Sequence, residues 1–425
     1  MCVRRFSARK MRIKSINIDG FRGIPTLKLE FPEQVNVLVG VNGAGKSAVL
    51  DCTAIMLSRL IGRIRSTKGT GRIFSELDIN NHVRETRSEI TIQFRGESVC
   101  WQVIKPRRWH RRQRISGLEE LRRHVEMIRL ELEEDESSTI PLAVYYPVNR
   151  AVLDIPLRIR TRHRFDRLSA YDQALSGSPS SFRLFFEWFR EREDLENEHR
   201  RDKSSHRDSQ LQTVRTAIEH FLPSFGNLRV RRSPLRMVVD KDGENLVVNQ
   251  LSDGEKCTLA MVGDLARRMA VANPDMTDPL QSEAIALIDE ADLHLHPSWQ
   301  RRLASAFAET FPNCQFLLST HSPAILSHLK SDSIWILRRT GKGIEASRPA
   351  NSYGHKVDRI LEDIMEVPAR PDEVSEKLSL LFLSIEQNEL KKARRILDEL
   401  KALMAADPDL VKTDLLIQRK ETLGR

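Results

Sequence analysis

The octapeptide Gly40-Val41-Asn42-Gly43-Ala44-Gly45-Lys46-Ser47 satisfies the pattern G-x4-G-K-[ST] at every specified position. Before it, Val35-Asn36-Val37-Leu38-Val39 reads as a short buried strand. After it, Ser47–Ile55 reads as the start of a helix. A strand feeding a helix through a glycine turn restricts the chain to an α/β architecture. Such a turn lets backbone N–H groups curl around a polyphosphate, and the new helix adds its positive dipole end. Asn42, Gly43, Ala44 and Gly45 would line the anion, Lys46 would reach the β- and γ-phosphates, and the Ser47 hydroxyl would ligate Mg2+. ATP with Mg2+ is the expected cofactor; a chance glycine turn would not have all three parts in register.

With 425 residues there is room for two or three domains. The net charge of +9 favours an acidic partner, and nucleic acid is plausible, although many solvated surfaces carry such an excess. The five cysteines, Cys2, Cys52, Cys100, Cys257 and Cys314, form no CxxC pair, which argues for a reducing compartment without disulfides or zinc. No apolar run reaches the ~20 residues that span a bilayer, and the N-terminus has no signal-peptide core. A cytoplasmic protein without a membrane partner is expected. Alternation begins at Ile13, so Met11 is a candidate start.

Apolar residues alternate from Ile13 to Phe31, and again from Ile90 to Val103 around Arg95-Gly96-Glu97-Ser98, giving two β-hairpins. At Lys105 the character changes to a basic run ending at Arg114. With the cluster Arg158, Arg160, Arg162, Arg164 and Arg167 this run is the candidate for nucleic-acid contact, the alternative being a solvated or subunit-facing surface. A charged helix over Leu118–Glu136 follows the run. A buried strand returns at Leu142–Tyr146. The stretch Glu187–Gln210 is polar enough to read as a solvated helix or a mobile loop. Hydrophobic order resumes at Leu235 and runs to Leu337. Two or three amphipathic helices close the chain. Leu378, Leu381, Phe382 and Ile385 mark one apolar face, and Leu390, Ala393, Leu397 and Leu400 mark the next. The expected organisation is an N-terminal lobe over 11–104 and a mostly helical, charged insertion over 105–225 with one core strand near 142–146. A C-terminal lobe over 226–345 and a helical region over 346–425 complete it.

Leu251-Ser252-Asp253-Gly254-Glu255-Lys256 precedes a helix, and Ser252 with Glu255 has the spacing of a capping box. Alone it would be an ordinary helix start. About 30 residues later, Ala284–Ile288 is an apolar strand ending in Asp289 and Glu290. A run this apolar reads as a central parallel strand, whose C-terminal end is where α/β sheets bind ligands. Asp289 would hold Mg2+ through its water shell, and Glu290 would orient or deprotonate an attacking water. Gln315–Thr320 is a third buried strand, ending at His321, which can contact a γ-phosphate.

In this order the motifs resemble the ABC-type ATPase heads of the SMC, RecF and OLD group, over about Met11–Ile104 and Phe225–Arg338. The resemblance implies an α/β P-loop NTPase head with a mixed central sheet and an N-terminal antiparallel β part. It makes Leu251–Lys256 the signature loop, with Ser252, Gly254 and Glu255 facing nucleotide, and Ser319-Thr320-His321 the H-loop, with His321 its histidine. Asp292 would take the D-loop role at a dimer seam, and Arg22 in Gly20-Phe21-Arg22 would be an arginine turn near the phosphates. No clear Q-loop glutamine is present; Asn149 or Arg150 occupies about that place. His294 and His296 could suggest a metal pair, but packing or hydrogen bonding beside the site fits the resemblance better.

One phosphate loop and one signature loop per chain imply an ATP-sandwiched homodimer, with higher assembly left open. No nuclease module is expected, because Asp407-Pro408-Asp409, the one downstream D-x-D, follows a helix and reads as a loop. Within the group, Leu251–Cys257, Gly263–Arg268 with Asn273-Pro274, and Val357–Pro371 resemble the PtuA-like ATPases of Septu and retron anti-phage systems. That resemblance implies an HNH-type nuclease partner controlled by the ATPase. The alternative is a RecF-like repair ATPase that clamps DNA and controls no nuclease.

Overall fold

The computed structural model describes residues 11–108, 116–149, 165–177, 182–341, 343–404 and 407–423. The chain forms two compact units, one ending at His355 and the other beginning at Lys356.

The first unit opens with β1 (Arg12–Phe21) and β2 (Ile24–Glu30), an antiparallel hairpin. Ile13, Ile16 and Ile18 are fully buried. A register shift between Ile13 and Ser15 adds one residue, which lets Ile13 and Ile16, three apart, both turn inward. Next come β3 (Val35–Val39), buried throughout, and α1 (Lys46–Arg65). A second hairpin follows, β4 (Glu85–Phe94) and β5 (Glu97–Pro106). It turns at Arg95 and Gly96, which both have positive φ, as a two-residue hairpin loop requires. These hairpins make a four-stranded antiparallel sheet in the order β2-β1-β4-β5.

After α2 (Glu119–Glu134) the chain returns to the core as β6 (Leu142–Tyr146), every residue of it buried. The helices α3 (Phe182–Asp202) and α4 (Ser209–Phe221) lead to a three-stranded antiparallel sheet of β7 (Phe225–Arg232), β8 (Leu235–Lys241) and β9 (Glu244–Val247). Then follow α5 (Asp253–Ala272), β10 (Ala284–Ile288), α6 (Pro297–Thr310), β11 (Cys314–Thr320) and the short α7 (Pro323–Leu326). An antiparallel pair, β12 (Ile334–Thr340) and β13 (Gly343–Ser347), ends this part. The central sheet runs β13-β12-β3-β11-β10-β6, with all neighbours parallel except β12 and β13. The fold is the α/β P-loop head, with a mixed central sheet and a separate antiparallel β part.

A buried glutamine joins the two sheets. Gln315 on β11 accepts a hydrogen bond from Ile13 N at 2.7 Å and donates to Ile13 O at 3.1 Å and Phe31 O at 3.2 Å. Its polarity is satisfied by backbone that would otherwise be stranded between sheets.

The polar stretch Glu187–Gln210 is mostly exposed from Asp194 onward, but its first part is buried along one side. Through Asp202 it is the helix α3, and Glu187, Glu193 and Glu196 are buried. Arg183 pairs with Glu187 at 2.8 Å, Arg215 reaches Glu196 at 3.0 Å, and Arg232 reaches Glu193 at 2.9 Å. Composition suggested exposure because two of the three paired arginines, Arg215 and Arg232, lie on other elements, where a local reading cannot see them.

The second unit contains α8 (Val357–Asp363), α9 (Asp372–Glu386), α10 (Leu390–Leu403) and α11 (Pro408–Leu423). Leu378, Leu381 and Ile385 meet Ala393, Leu397 and Leu400, with Leu410 and Ile417 of α11, in one core. Phe382, expected on the buried face of α9, is 44% exposed, and Leu390 is half-buried. Helical spacing put Phe382 at the edge of the stripe, and α10 and α11 cover only its centre. Asp407 and Asp409 both bind Arg370, at 3.1 and 2.7 Å, at the start of α11.

Candidate nucleotide site

Four strands of the central sheet end at the same edge. Val39 is paired with Thr320, and Ile288 with both Leu318 and Tyr146, all in parallel register. The phosphate loop, Asp289-Glu290, His321 and the segment after Tyr146 therefore leave the sheet together. This is the edge at which parallel α/β sheets hold ligands.

At the phosphate loop, Gly43 and Gly45 have φ of 81° and 96°, and Gly45 is the N-cap of α1. A side chain at either position would be strained, so the loop's curl depends on glycine. Asn42, Gly43 and Ser47 are exposed, and Ala44 is buried. Lys46 is 6% exposed and donates to Gly40 O at 2.8 Å and Val41 O at 3.3 Å. Burial pushes its ammonium below the ordinary lysine pKa, while Asp289, Glu290 and Asp292 pull it back up.

The acids after β10 are stitched to the end of β11. The Ser319 hydroxyl donates to Asp289 Oδ1 and accepts from Glu290 N at 2.7 Å. Ala291 N donates to Ser319 O at 2.8 Å. Asp292 Oδ1 accepts from Thr320 Oγ1 at 2.5 Å and from His321 N at 3.3 Å. Glu290 has a positive φ of 46°, so the chain turns sharply where the second acid stands. On the other side of β10, Asp289 N donates to Tyr146 O at 2.9 Å.

The signature segment begins α5. The Ser252 hydroxyl accepts from Glu255 N at 3.4 Å, and Glu255 Oε2 accepts from Ser252 N at 3.0 Å, completing a reciprocal cap. Lys241 holds the other carboxylate oxygen at 2.7 Å. Burial works to raise the Glu255 pKa, but the hydrogen bonds from Lys241 and Ser252 hold it below the ordinary glutamate value. A Cβ on Gly254 would fall 2.1 Å from the His294 carbonyl oxygen. The first turn of α5 thus lies backbone to backbone on the loop that carries Asp292. Ser252 and Asp253 remain exposed.

Arg22 adopts a φ of 49° and is held by Asp51 at 2.5 Å and Asp78 at 2.8 Å. Asp51 stands one turn of α1 beyond Ser47 and also binds Arg72 at 2.7 Å. Burial alone would lower the Arg22 pKa, but the two carboxylates outweigh it and the net shift is upward. Asn149 is exposed, and Arg150 lies outside the described residues. His296 caps α6 through Ser298, and among the described residues no group of three His, Cys, Asp or Glu could hold a metal by itself.

The basic candidates for nucleic-acid contact fare differently. Residues 109–115 and Arg158, Arg160, Arg162 and Arg164 lie outside the described residues. Arg107 donates to Val83 O and Asn80 O, both at 3.1 Å. Arg167 donates to Ala272 O at 2.9 Å and to the carbonyls of Glu136 and Ser138. Arg107 and Arg167 brace loops, and Arg108 is exposed.

Residues 35–327 match the family described as "AAA domain, putative AbiEii toxin, Type IV TA system". The chain belongs to this family. It is 31% identical over 433 residues to a retron Ec83 probable ATPase of Escherichia coli, covering 86% of this chain and 78% of that one. A retron Vc95 probable ATPase of Vibrio cholerae is 28% identical, with 89% and 83% covered. The Septu protein PtuA of Bacillus thuringiensis is 24% identical, with 83% and 84% covered. The family model describes an AAA domain, and the two retron relatives are named as probable ATPases. Among the described residues no helix is long and apolar enough to cross a membrane.

Reading motifs along the sequence placed Ser319 and Thr320 in the H-loop but missed their contacts with Asp289 and Asp292, and it missed the pairing of Tyr146 with Asp264. Tyr146 OH donates to Asp264 Oδ2 at 3.0 Å, and Asp264 binds Arg267 and Arg268, both at 2.7 Å. A buried pair of arginines one turn from an aspartate on an apolar helix face was the available signal.

Proposed function

We propose that this chain is the ATPase subunit of an anti-phage system, binding ATP between two copies of itself and controlling a partner nuclease. The observation that carries the reading is the convergence at one sheet edge of the phosphate loop, Asp289, Glu290 and His321. The relatives' names, retron ATPases and Septu PtuA, support the defence setting.

The residues fit a nucleotide and a magnesium ion. The loop presents an exposed Ser47 hydroxyl beside a helix N-terminus, and Asp289 is a buried carboxylate already hydrogen-bonded. Two protein groups suit Mg2+, which keeps most of its waters and takes the rest of its ligands from phosphate. When bound, the ion would neutralise charge building on the β- and γ-oxygens. Lys46 would exchange its loop carbonyls for phosphate oxygens, Glu290 would orient or deprotonate water, and His321 would report the γ-phosphate. Asn42 to Gly45 would supply backbone donors, and Arg22, fixed by Asp51 and Asp78, would flank the phosphates. Ser252, with Gly254 and Glu255 behind it, offers an exposed helix N-terminus to nucleotide held by a second copy, and Asp292 would lie at that seam.

Two experiments test this reading. Light scattering of Glu290→Gln with ATP should show a dimer; persistent monomers at micromolar concentration sink the sandwich. Co-expression with a genomically adjacent HNH nuclease should give a stable complex, and its absence removes the nuclease-control part alone.

A further inference from the structure

A cluster of cationic side chains lies at the end of α1 opposite the phosphate loop. Its cavity of 540 Å³ lies between the last turns of α1, the loop that follows, and one face of α2. That volume suits a ligand of mononucleotide size. Four cationic side chains line it, Arg63, Lys68, Arg122 and Arg129, against two carboxylates, Glu126 and Glu133.

The cations lie near one another, with Glu126 and Glu133 on the same wall. Among the described residues none of the four makes an ion pair, and neither does the adjacent Arg59. Burial lowers the pKa of Arg63, and Arg122 lowers it further; burial and Arg63 do the same to Arg59. The Arg59 Nε is buried and has no acceptor. Like charges held this close are costly unless an anion joins them.

The rim is equally specific. A Cβ on Gly69 would fall 1.8 Å from Gly62 O, so only glycine lets the loop lie on the last turn of α1. Arg59 Nη1 ties the loop down through Thr70 O at 2.6 Å, and Arg72 N does so through Ser58 Oγ at 2.8 Å. This places the Thr67 and Thr70 hydroxyls and Lys68 on the cavity wall. On α2 the lining residues recur at helical spacing from Arg122 to Glu133. Glu126 stands one turn beyond Arg122 and Glu133 one turn beyond Arg129, so cations and carboxylates alternate along this wall, while Arg63 and Lys68 come from α1 and its loop. A phosphate suits the arginines and the lysine, and sugar hydroxyls suit the carboxylates between them.

We propose that this cavity binds a small phosphorylated sugar or nucleotide, at a site separate from the phosphate loop. No aromatic side chain lines it, so recognition rests on phosphate and hydroxyl rather than on a stacked base. The phosphate loop begins the same helix, with Lys46 17 residues before Arg63, roughly 25 Å at 1.5 Å per residue.

The test uses the full chain carrying Lys46→Ala, which weakens the first site. Calorimetry with inorganic pyrophosphate and with ribose 5-phosphate should show one saturable site per chain, and pyrophosphate should raise the melting temperature. Arg63→Ala with Arg122→Ala should weaken binding about tenfold or more, as expected for lost charge-assisted hydrogen bonds, and abolish the shift. The ligand-free double variant should melt no lower than its parent, because repulsion is relieved. Arg63→Lys with Arg122→Lys should retain most affinity. Absence of saturable binding at millimolar probe, or binding indifferent to both arginines, overturns the site. Binding of single-stranded oligo(dT) through these arginines, with neither small probe bound, overturns the small-ligand assignment in favour of a nucleic-acid contact.

Discussion

Lys46 and Glu290 carry opposite charges at one sheet edge, and removing each should break a different step. Lys46→Ala deletes the cation aimed at the phosphates and should weaken ATP binding about tenfold or more. Glu290→Gln keeps the shape and removes the base, so binding should persist while turnover falls by about 10²–10⁴. Nucleotide binding by fluorescence beside phosphate release distinguishes them, and wild-type turnover in Glu290→Gln would rule out its role in activating water. Both residues could be read from the linear motif because their neighbours in sequence are also their neighbours in space. Ser319 could not. Its hydroxyl matters because parallel pairing brings β11 beside β10, and that proximity has no signature in a strand that reads simply as apolar. Gly254 illustrates an intermediate case: the motif marked it, but its cause is the His294 carbonyl 2.1 Å from any added Cβ. Gly254→Ala should cost about 1–3 kcal/mol through forced backbone separation, measured by denaturant unfolding.

At the scale of elements, α5 and β6 are joined by the buried group Tyr146, Asp264, Arg267 and Arg268. Burial opposes ionisation of Asp264, but Arg268 and Arg267 hold its carboxyl far below the ordinary aspartate range. A depressed carboxylate stabilises the fold above its unfolded pKa, near 3.9, and that stability is lost as pH falls below it. Acid unfolding should therefore steepen below about pH 4, and Asp264→Asn should flatten that limb. At neutral pH the same change leaves two buried guanidiniums short of a counter-charge and should cost about 3–5 kcal/mol. Circular dichroism across pH tests both; an unchanged acid limb would remove Asp264 from the account. The hairpins, the strand β6 and the helix after the signature were readable from periodicity. The helix α3 was not readable as a buried element, since its glutamates are neutralised by arginines of α4 and β7, far along the chain.

For the whole molecule, the expected dimer makes a prediction that a single chain cannot imitate. Mixing Lys46→Ala chains with Ser252→Arg chains should restore part of the ATPase activity, because one composite site in the mixed dimer is intact. No recovery at any ratio, with both variants folded, would place the signature in its own chain's site. The C-terminal helices were foreseen as amphipathic, but their partner was not, because spacing shows that a face is apolar and not what meets it. They bury those faces among themselves. A chain ending at His355 should accordingly stay soluble and hydrolyse ATP, with aggregation of that truncation the contrary result. An appendage that brings its own core can be exchanged between relatives without disturbing the packing of the engine it is attached to. Such a cassette lets a lineage change what its ATPase answers to while the motor itself stays the same.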